Sequence, residues 1–191
     1  YLVQMGRLTD KSPDFIPNQT DEEKRQIAAY LEKNCIQVRP AQSELTFDLL
    51  LTLRTAEHCV KLRIAENHTN IVLIEKDDVV LQRQDAAPSQ PANLTDRSCL
   101  SVERILAFAE LVELEAVEPL IPAMGCTEPI AIAYGAARAR EVLGCLPEEV
   151  LVEASGNLIK NVKSVIVPNT NGLSGIEAAV AAGLIAGRPE K

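Results

Sequence analysis

The spacing of apolar positions changes character several times along the chain. Thr20 followed by Glu23 reads as a capping box, and Ile27, Tyr30 and Leu31 then share one helical face. From Ile36 to Gln82 the apolar residues come instead in short β-prone runs. These are Leu45–Leu53, Cys59–Ala65 and Asn70–Lys76, with Asp77-Asp78 as a turn before Val79–Leu81. The breaks at Thr55–His58 and Glu66–Thr69 are too short for helical crossovers, so an antiparallel meander is predicted.

Residues 83–97 break the pattern with Pro88, Pro91 and little to bury, as do the polar residues 1–19. Ser101 then caps a predicted helix whose face is Val102, Ile105, Leu106, Ala109 and Val112. The last third predicts a helix from about Thr127 to Leu143, stopped by Gly144, and a strand at Val150–Ala154. A polar turn (Ser155–Asn161), a second strand (Val162–Val167) and a loop follow. A final helix carries Ile176, Val180 and Leu184 in line and closes at Gly187 before Pro189. The expected class is α+β: an antiparallel meander with flanking helices, plus an α-β-β-α unit. The expected division is a helix-plus-meander subdomain at 1–97 and an α-β-β-α subdomain at 98–191.

Composition narrows the function classes. The 191 residues are enough to bury a core, and 47% hydrophobic with 24% charged is ordinary for a globular protein. No apolar run approaches the roughly 18 residues of a membrane span. The start, YLVQMGRLTD, lacks a basic-then-apolar leader pattern, so a cytoplasmic location is the expectation. A net charge of −8 repels phosphate backbones, and no basic stripe with interleaved aromatics offsets it; neither nucleic acid nor membrane is an expected partner. Five scattered cysteines without a CxxC pair support neither a disulfide framework nor zinc.

Three segments could carry chemistry. In PAMGCTEPI, Thr127 is a good N-cap residue, Glu128 complements a positive helix end, and Pro129 suits the first turn. That grammar alone explains the stretch and leaves Cys126 incidental. The same geometry would also stabilise a Cys126 thiolate as nucleophile or soft-metal ligand. A Cys126-based hydrolase would need a base, and the chain holds only His58 and His68. SGNLIKN and VPNTNGLSG concentrate Ser155, Asn157, Lys160, Asn161, Asn169, Thr170 and Asn171, which are either turn formers or a cradle for a carboxylate with Lys160 as point charge. ENHTN (Glu66–Asn70) is a polar turn with a lesser claim to ligand contact.

PAMGCTEPIAIAYGAARAREVLG, SGNLIKNVKSVIVPNTNGLSGIEAAVAAG and ENHTNIVLIEK together resemble the L-cysteine desulfidase family, relatives of the iron–sulfur L-serine dehydratases. The resemblance covers Glu118–Gly187 well and Asp21–Leu81 moderately, in rearranged order: here the sheet precedes GCTEP. It implies β-elimination of L-cysteine (or L-serine) to pyruvate and ammonia, with sulfide released from cysteine, on a 4Fe–4S cluster held by three cysteines. Cys126 matches one cluster ligand. The other two lie in a Gly/Ala/Cys-rich segment without a counterpart here, so a second segment or chain is implied as partner, and self-association stays open. The substrate contacts expected on this resemblance are Asn157, Lys160, Asn161, Asn169 and Thr170; no general base is assigned. The alternative is a non-catalytic small-molecule-binding or assembly module.

Overall fold

The computed structural model describes residues 19–85, 100–113 and 127–188. They divide into two compact units, one holding 19–85 with 127–188 and the other holding 100–113. In the first unit the order is α1 (Asp21–Glu32), β1 (Ile36–Pro40), β2 (Asp48–Arg54), β3 (Cys59–Ala65), β4 (Ile71–Lys76) and β5 (Val79–Arg83). After the second unit's helix α2 (Val102–Leu111), the first resumes with α3 (Glu128–Leu143), β6 (Glu149–Ala154), α4 (Gly156–Val162) and α5 (Ile176–Ala186). The class is α+β, as expected.

The six strands described form one sheet in the order β1-β6-β2-β3-β4-β5. From β2 to β5 it is the antiparallel meander that the hydrophobic runs predict. β6 enters from the far side of the linker, antiparallel to β2 and parallel to β1, so the sheet is mixed. Pleating sends Leu49, Leu51 and Leu53 of β2, Val60, Leu62 and Ile64 of β3, and Val150 and Val152 of β6 to one buried face. Each such side chain contributes roughly 2 kcal/mol relative to exposure.

The helices of this unit pack on that face. α3 lies over β2, β3 and β4, while α5 is wedged among α1, α3 and β1. Nine of the eleven α5 residues are buried, which explains its near-absence of a polar side. α3 and α5 run side by side in the same direction, because a Cβ on Gly183 would overlap Ala133 and one on Gly187 would crowd Ala137. Gly183 is therefore required: any side chain there meets the Ala133 backbone. At the far end of α5, the Arg140 guanidinium of α3 donates to the Leu184, Ile185 and Gly187 carbonyls, a cation where the dipole is negative.

Two local expectations hold in detail. Thr20 and Glu23 exchange reciprocal side-chain-to-backbone bonds at the start of α1. α3 stops at Gly144, whose φ of 91° suits glycine. In the second unit, the Ser101 hydroxyl accepts from Arg104 N at the start of α2.

Two expectations are corrected. Ser155–Asn161 is not a turn between strands but the body of α4, capped by the Ser155 hydroxyl, which accepts from Leu158 N. Val162–Val167 is not a strand: Val162 ends α4, and Ile166 makes only an isolated bridge to Ser174. The α-β-β-α unit is thus α-β-α-α. The expected irregular residues 1–18 and most of the expected linker lie outside the described residues, as do Cys99 and Cys126. No described helix is long and apolar enough to cross a membrane.

Candidate functional site

One end of the sheet gathers most of the polar residues singled out above. There β1 and β6 finish, β2 begins, the loop after β3 turns back, and α1, α3, α4 and α5 all start. Ligands favour this end in sheets with parallel strands, since helix N-termini and loops converge there.

The β3–β4 loop that carries ENHTN is tied down by its own backbone. Glu66 N donates to Phe47 O at 3.0 Å, Asn67 N to Ala65 O at 2.8 Å, and Asn70 N to Asn67 O at 3.2 Å. The Asn70 amide donates to Ala65 O at 3.0 Å and accepts from Gln84 Nε2 at 2.9 Å, so Asn70 holds the loop rather than facing a ligand. His68 is left projecting from this fastened turn, its ring 4.6 Å from that of Phe47. Its Nε2 lies 3.5 Å from the Thr127 hydroxyl oxygen at the start of α3.

The expected capping role of Thr127 is corrected by the same contact. Its φ and ψ of −78° and −18° are helical, and its side chain makes no cap bond. A cap residue needs extended backbone to fold its oxygen over the first turn. With helical backbone, the Thr127 hydroxyl approaches His68 instead. The next residue, Glu128, accepts from Asn161 Nδ2 of α4 at 3.2 Å. Three segments remote in sequence thus meet at the start of α3: ENHTN through His68, TEP through Thr127 and Glu128, and SGNLIKN through Asn161.

The electrostatics follow from burial. Desolvation pushes the His68 imidazole below its ordinary pKa, and the Glu128 carboxylate pulls it back only in part. His68 is therefore neutral at pH 7, with one ring nitrogen able to accept a proton.

The other predicted site residues are placed differently. Asn157 and Lys160 are exposed on α4. Thr170 is buried, and its hydroxyl donates to Val167 O at 2.7 Å within its own turn. Asn169 and Asn171 shape that turn with φ values of 62° and 59°. Thr170 and Asn171 line an open depression of about 590 Å³ with Asp21, Lys24, Arg25, Ala28 and Leu173. Neither Asn157, Lys160 nor Asn161 lines it. Cys126, the expected metal ligand, immediately precedes the described start of α3 and lies outside the described residues.

The described cysteines sit elsewhere. Cys35 accepts from Val150 N before β1, Cys59 opens β3 opposite Arg54, and Cys145 follows the Gly144 stop. All three are free thiols at the far end of the sheet, roughly 24 Å away along the sixteen residues of α3. Among the described residues, no group of three or more His, Cys, Asp or Glu could hold a metal ion. They do not by themselves fit a three-thiolate iron–sulfur site.

What sequence reading missed is the pairing of His68 with Thr127 and of Asn161 with Glu128. No spacing signals either contact, because both are made only when the sheet end closes against α3.

In sequence, the chain is similar to UPF0597 proteins. It is 73% identical over 74 residues to one from Desulfitobacterium hafniense, covering 39% of this chain and 17% of that protein. It is 61% identical over 74 residues to one from Treponema denticola, again 39% of this chain and 17% of the relative. For one from Finegoldia magna the identity is 59% over 80 residues, or 42% of this chain and 18% of the relative. The match thus spans less than a fifth of each of these relatives' own length. No protein-family model matches the chain, and no solved structure matches it.

Proposed function

We propose that the chain is part of an iron–sulfur-dependent lyase that eliminates the β-substituent of L-cysteine or L-serine, giving pyruvate and ammonia, with sulfide from cysteine. The observation that carries this reading is the convergence of His68, Thr127, Glu128 and Asn161 at the start of α3, directly after Cys126. Three of the segments that carry the family resemblance meet at that one place. A neutral imidazole, a carboxylate and an amide are the groups an amino-acid lyase needs for proton transfer and for holding an ammonium and a carboxylate.

In this reading Cys126 supplies one cluster ligand and a second segment or chain supplies the others. The chain's own described residues bind and orient the amino acid. The positive end of α3 and the Asn161 amide attract its carboxylate, and Glu128 faces its ammonium. The lone pair of His68 is held in a partly desolvated wall beside Phe47.

A second reading has its own observation. Cys35, Cys59 and Cys145 stand at the wrong end for a cluster at α3, which favours a non-catalytic binding or assembly module that meets its ligands on a partner. Anaerobic reconstitution with iron and sulfide separates the two. Broad visible absorbance that disappears in Cys126→Ala, with sulfide released from L-cysteine, supports the lyase. A colourless chain that still binds amino acids supports the module.

A further inference from the structure

We propose that His68 is the group that accepts the α-proton of a small L-amino acid bound at the start of α3; this rests on the lyase reading above. Of the two histidines, His58 is committed to a different task. Its Nδ1 lies 2.8 Å from Asp77 Oδ2 at the far end of the sheet, where Asp77 also accepts from Cys59 N and closes the β4–β5 turn. His68 meets the Thr127 hydroxyl instead. Its ring is fixed by the fastened loop and by Phe47, and Nε2 is aimed at the first residues of α3, where Asn161 and Glu128 also arrive.

The environment suits a base that starts neutral and ends charged. Burial disfavours the imidazolium before reaction, and the nearby Glu128 carboxylate favours it once a proton arrives. A carboxylate beside a catalytic imidazole acts in the same way in serine proteases, stabilising the cation without taking its proton. Lys160, expected from the sequence as a point charge for the substrate carboxylate, lies exposed on α4.

The step balances without an oxidant or reductant. The His68 nitrogen takes the proton from Cα, and the C–H electron pair becomes the Cα–Cβ double bond. The Cβ–S bond breaks with its pair leaving on sulfur as hydrosulfide. The product, 2-aminoacrylate, tautomerises to an imine, and one water converts that to pyruvate and ammonium. The imidazolium returns its proton to solvent or to the departing sulfide.

The test has two arms. In the first, the full chain carrying His58→Gln and ¹⁵N-labelled histidine is titrated with L-alanine, an amino acid with no leaving group. The His68 ring signals are expected to shift saturably; no shift up to tens of millimolar overturns the assignment, with no cluster required for the measurement. In the second, the chain loaded anaerobically with iron and sulfide, with excess glutathione to fill the two thiolate positions it lacks, is compared with His68→Asn. At least a hundred-fold loss of kcat with KM within about threefold, and unchanged visible absorbance, is expected of a lost base. Unaltered turnover in His68→Asn overturns the assignment and leaves the lyase standing. If the unsubstituted chain forms no cluster and releases no sulfide while the L-alanine shift persists, the lyase reading fails. His68 then survives as an amino-acid contact, and its role as proton acceptor is overturned.

Discussion

The two faces of the sheet are stabilised by opposite means. One is covered by α3 and α5, whose Ala and Gly residues allow backbone to approach backbone, and it buries an aliphatic layer. On the other, Asp48, Leu50, Thr52 and Arg54 of β2 face the same way as Lys61 and Arg63 of β3, and charged groups pair across the strands. Arg63 grips Asp48 with two bonds, Nε to Oδ1 at 2.8 Å and Nη2 to Oδ2 at 2.7 Å, and Lys61 reaches Glu75 at 2.6 Å. The first face tolerates no added volume. The second tolerates changes of side chain as long as a buried charge keeps its partner.

The largest effect is expected where the fit is tightest. Gly183→Val should destabilise by about 3 kcal/mol or more, because its side chain meets the Ala133 backbone, which cannot move without parting α3 from α5. Urea unfolding measures it, and a change below about 1 kcal/mol would mean that the two helices are not in contact there.

On the other face, Arg63→Met leaves the Asp48 carboxylate, only 2% exposed, without its partner. Since the Arg63 side chain keeps 39% of its surface in water, the expected loss is about 2 kcal/mol rather than that of a fully buried pair. The pH dependence sharpens this. Burial alone would raise the Asp48 pKa, but bonds from Arg63 and Ser43, with the Arg63 charge, outweigh it and hold the carboxyl below its ordinary range. Folding therefore favours the ionised form. The stabilisation is complete above the unfolded pKa of about 3.9 and is lost as pH falls through the lower folded value. Between pH 7 and about pH 3 the parent chain should therefore lose more stability in urea unfolding than Arg63→Met does; equal losses in the two would refute this.

Smaller effects belong to the helix layer. Tyr30 donates its hydroxyl to Pro147 O at 2.8 Å, so Tyr30→Phe should cost about 1 kcal/mol by leaving a carbonyl unpaired. Thr20→Ala removes the exposed capping box and should cost somewhat less, about 0.5–1 kcal/mol. Thermal melts that ranked these two above Gly183→Val would invert the contrast between the faces.

Much of this architecture is readable from residue order. The β-prone runs Leu45–Leu53, Cys59–Ala65 and Asn70–Lys76, parted by short polar breaks, announce the meander, and Thr20 with Glu23 marks the start of α1 locally. Val162–Val167 misled because β-branched residues at close spacing look like a strand. In the fold Val162 and Val167 are buried at the ends of a connection whose Ile166 is 62% exposed. α4 was hidden because its first residues, Gly156 and Asn157, favour turns, while the Ser155 cap that rescues the helix is a single bond. The polar end of the sheet was legible as a set of segments. Which of them would meet was not, because the His68–Thr127 and Asn161–Glu128 contacts depend on how α3 is laid over the strands. The Asn169–Thr170 turn shares that end, yet its buried hydroxyl serves the turn itself.

The position of β6 bears on how the chain reaches this state during synthesis. It fills the slot between β1 and β2, yet it emerges more than ninety residues after β2. Until the ribosome has released Glu149–Ala154, β2 has an open flank and β1 has no neighbour in the sheet. The nascent meander must therefore wait with two sticky margins, a state in which a chaperone or a stray strand competes for the vacant slot.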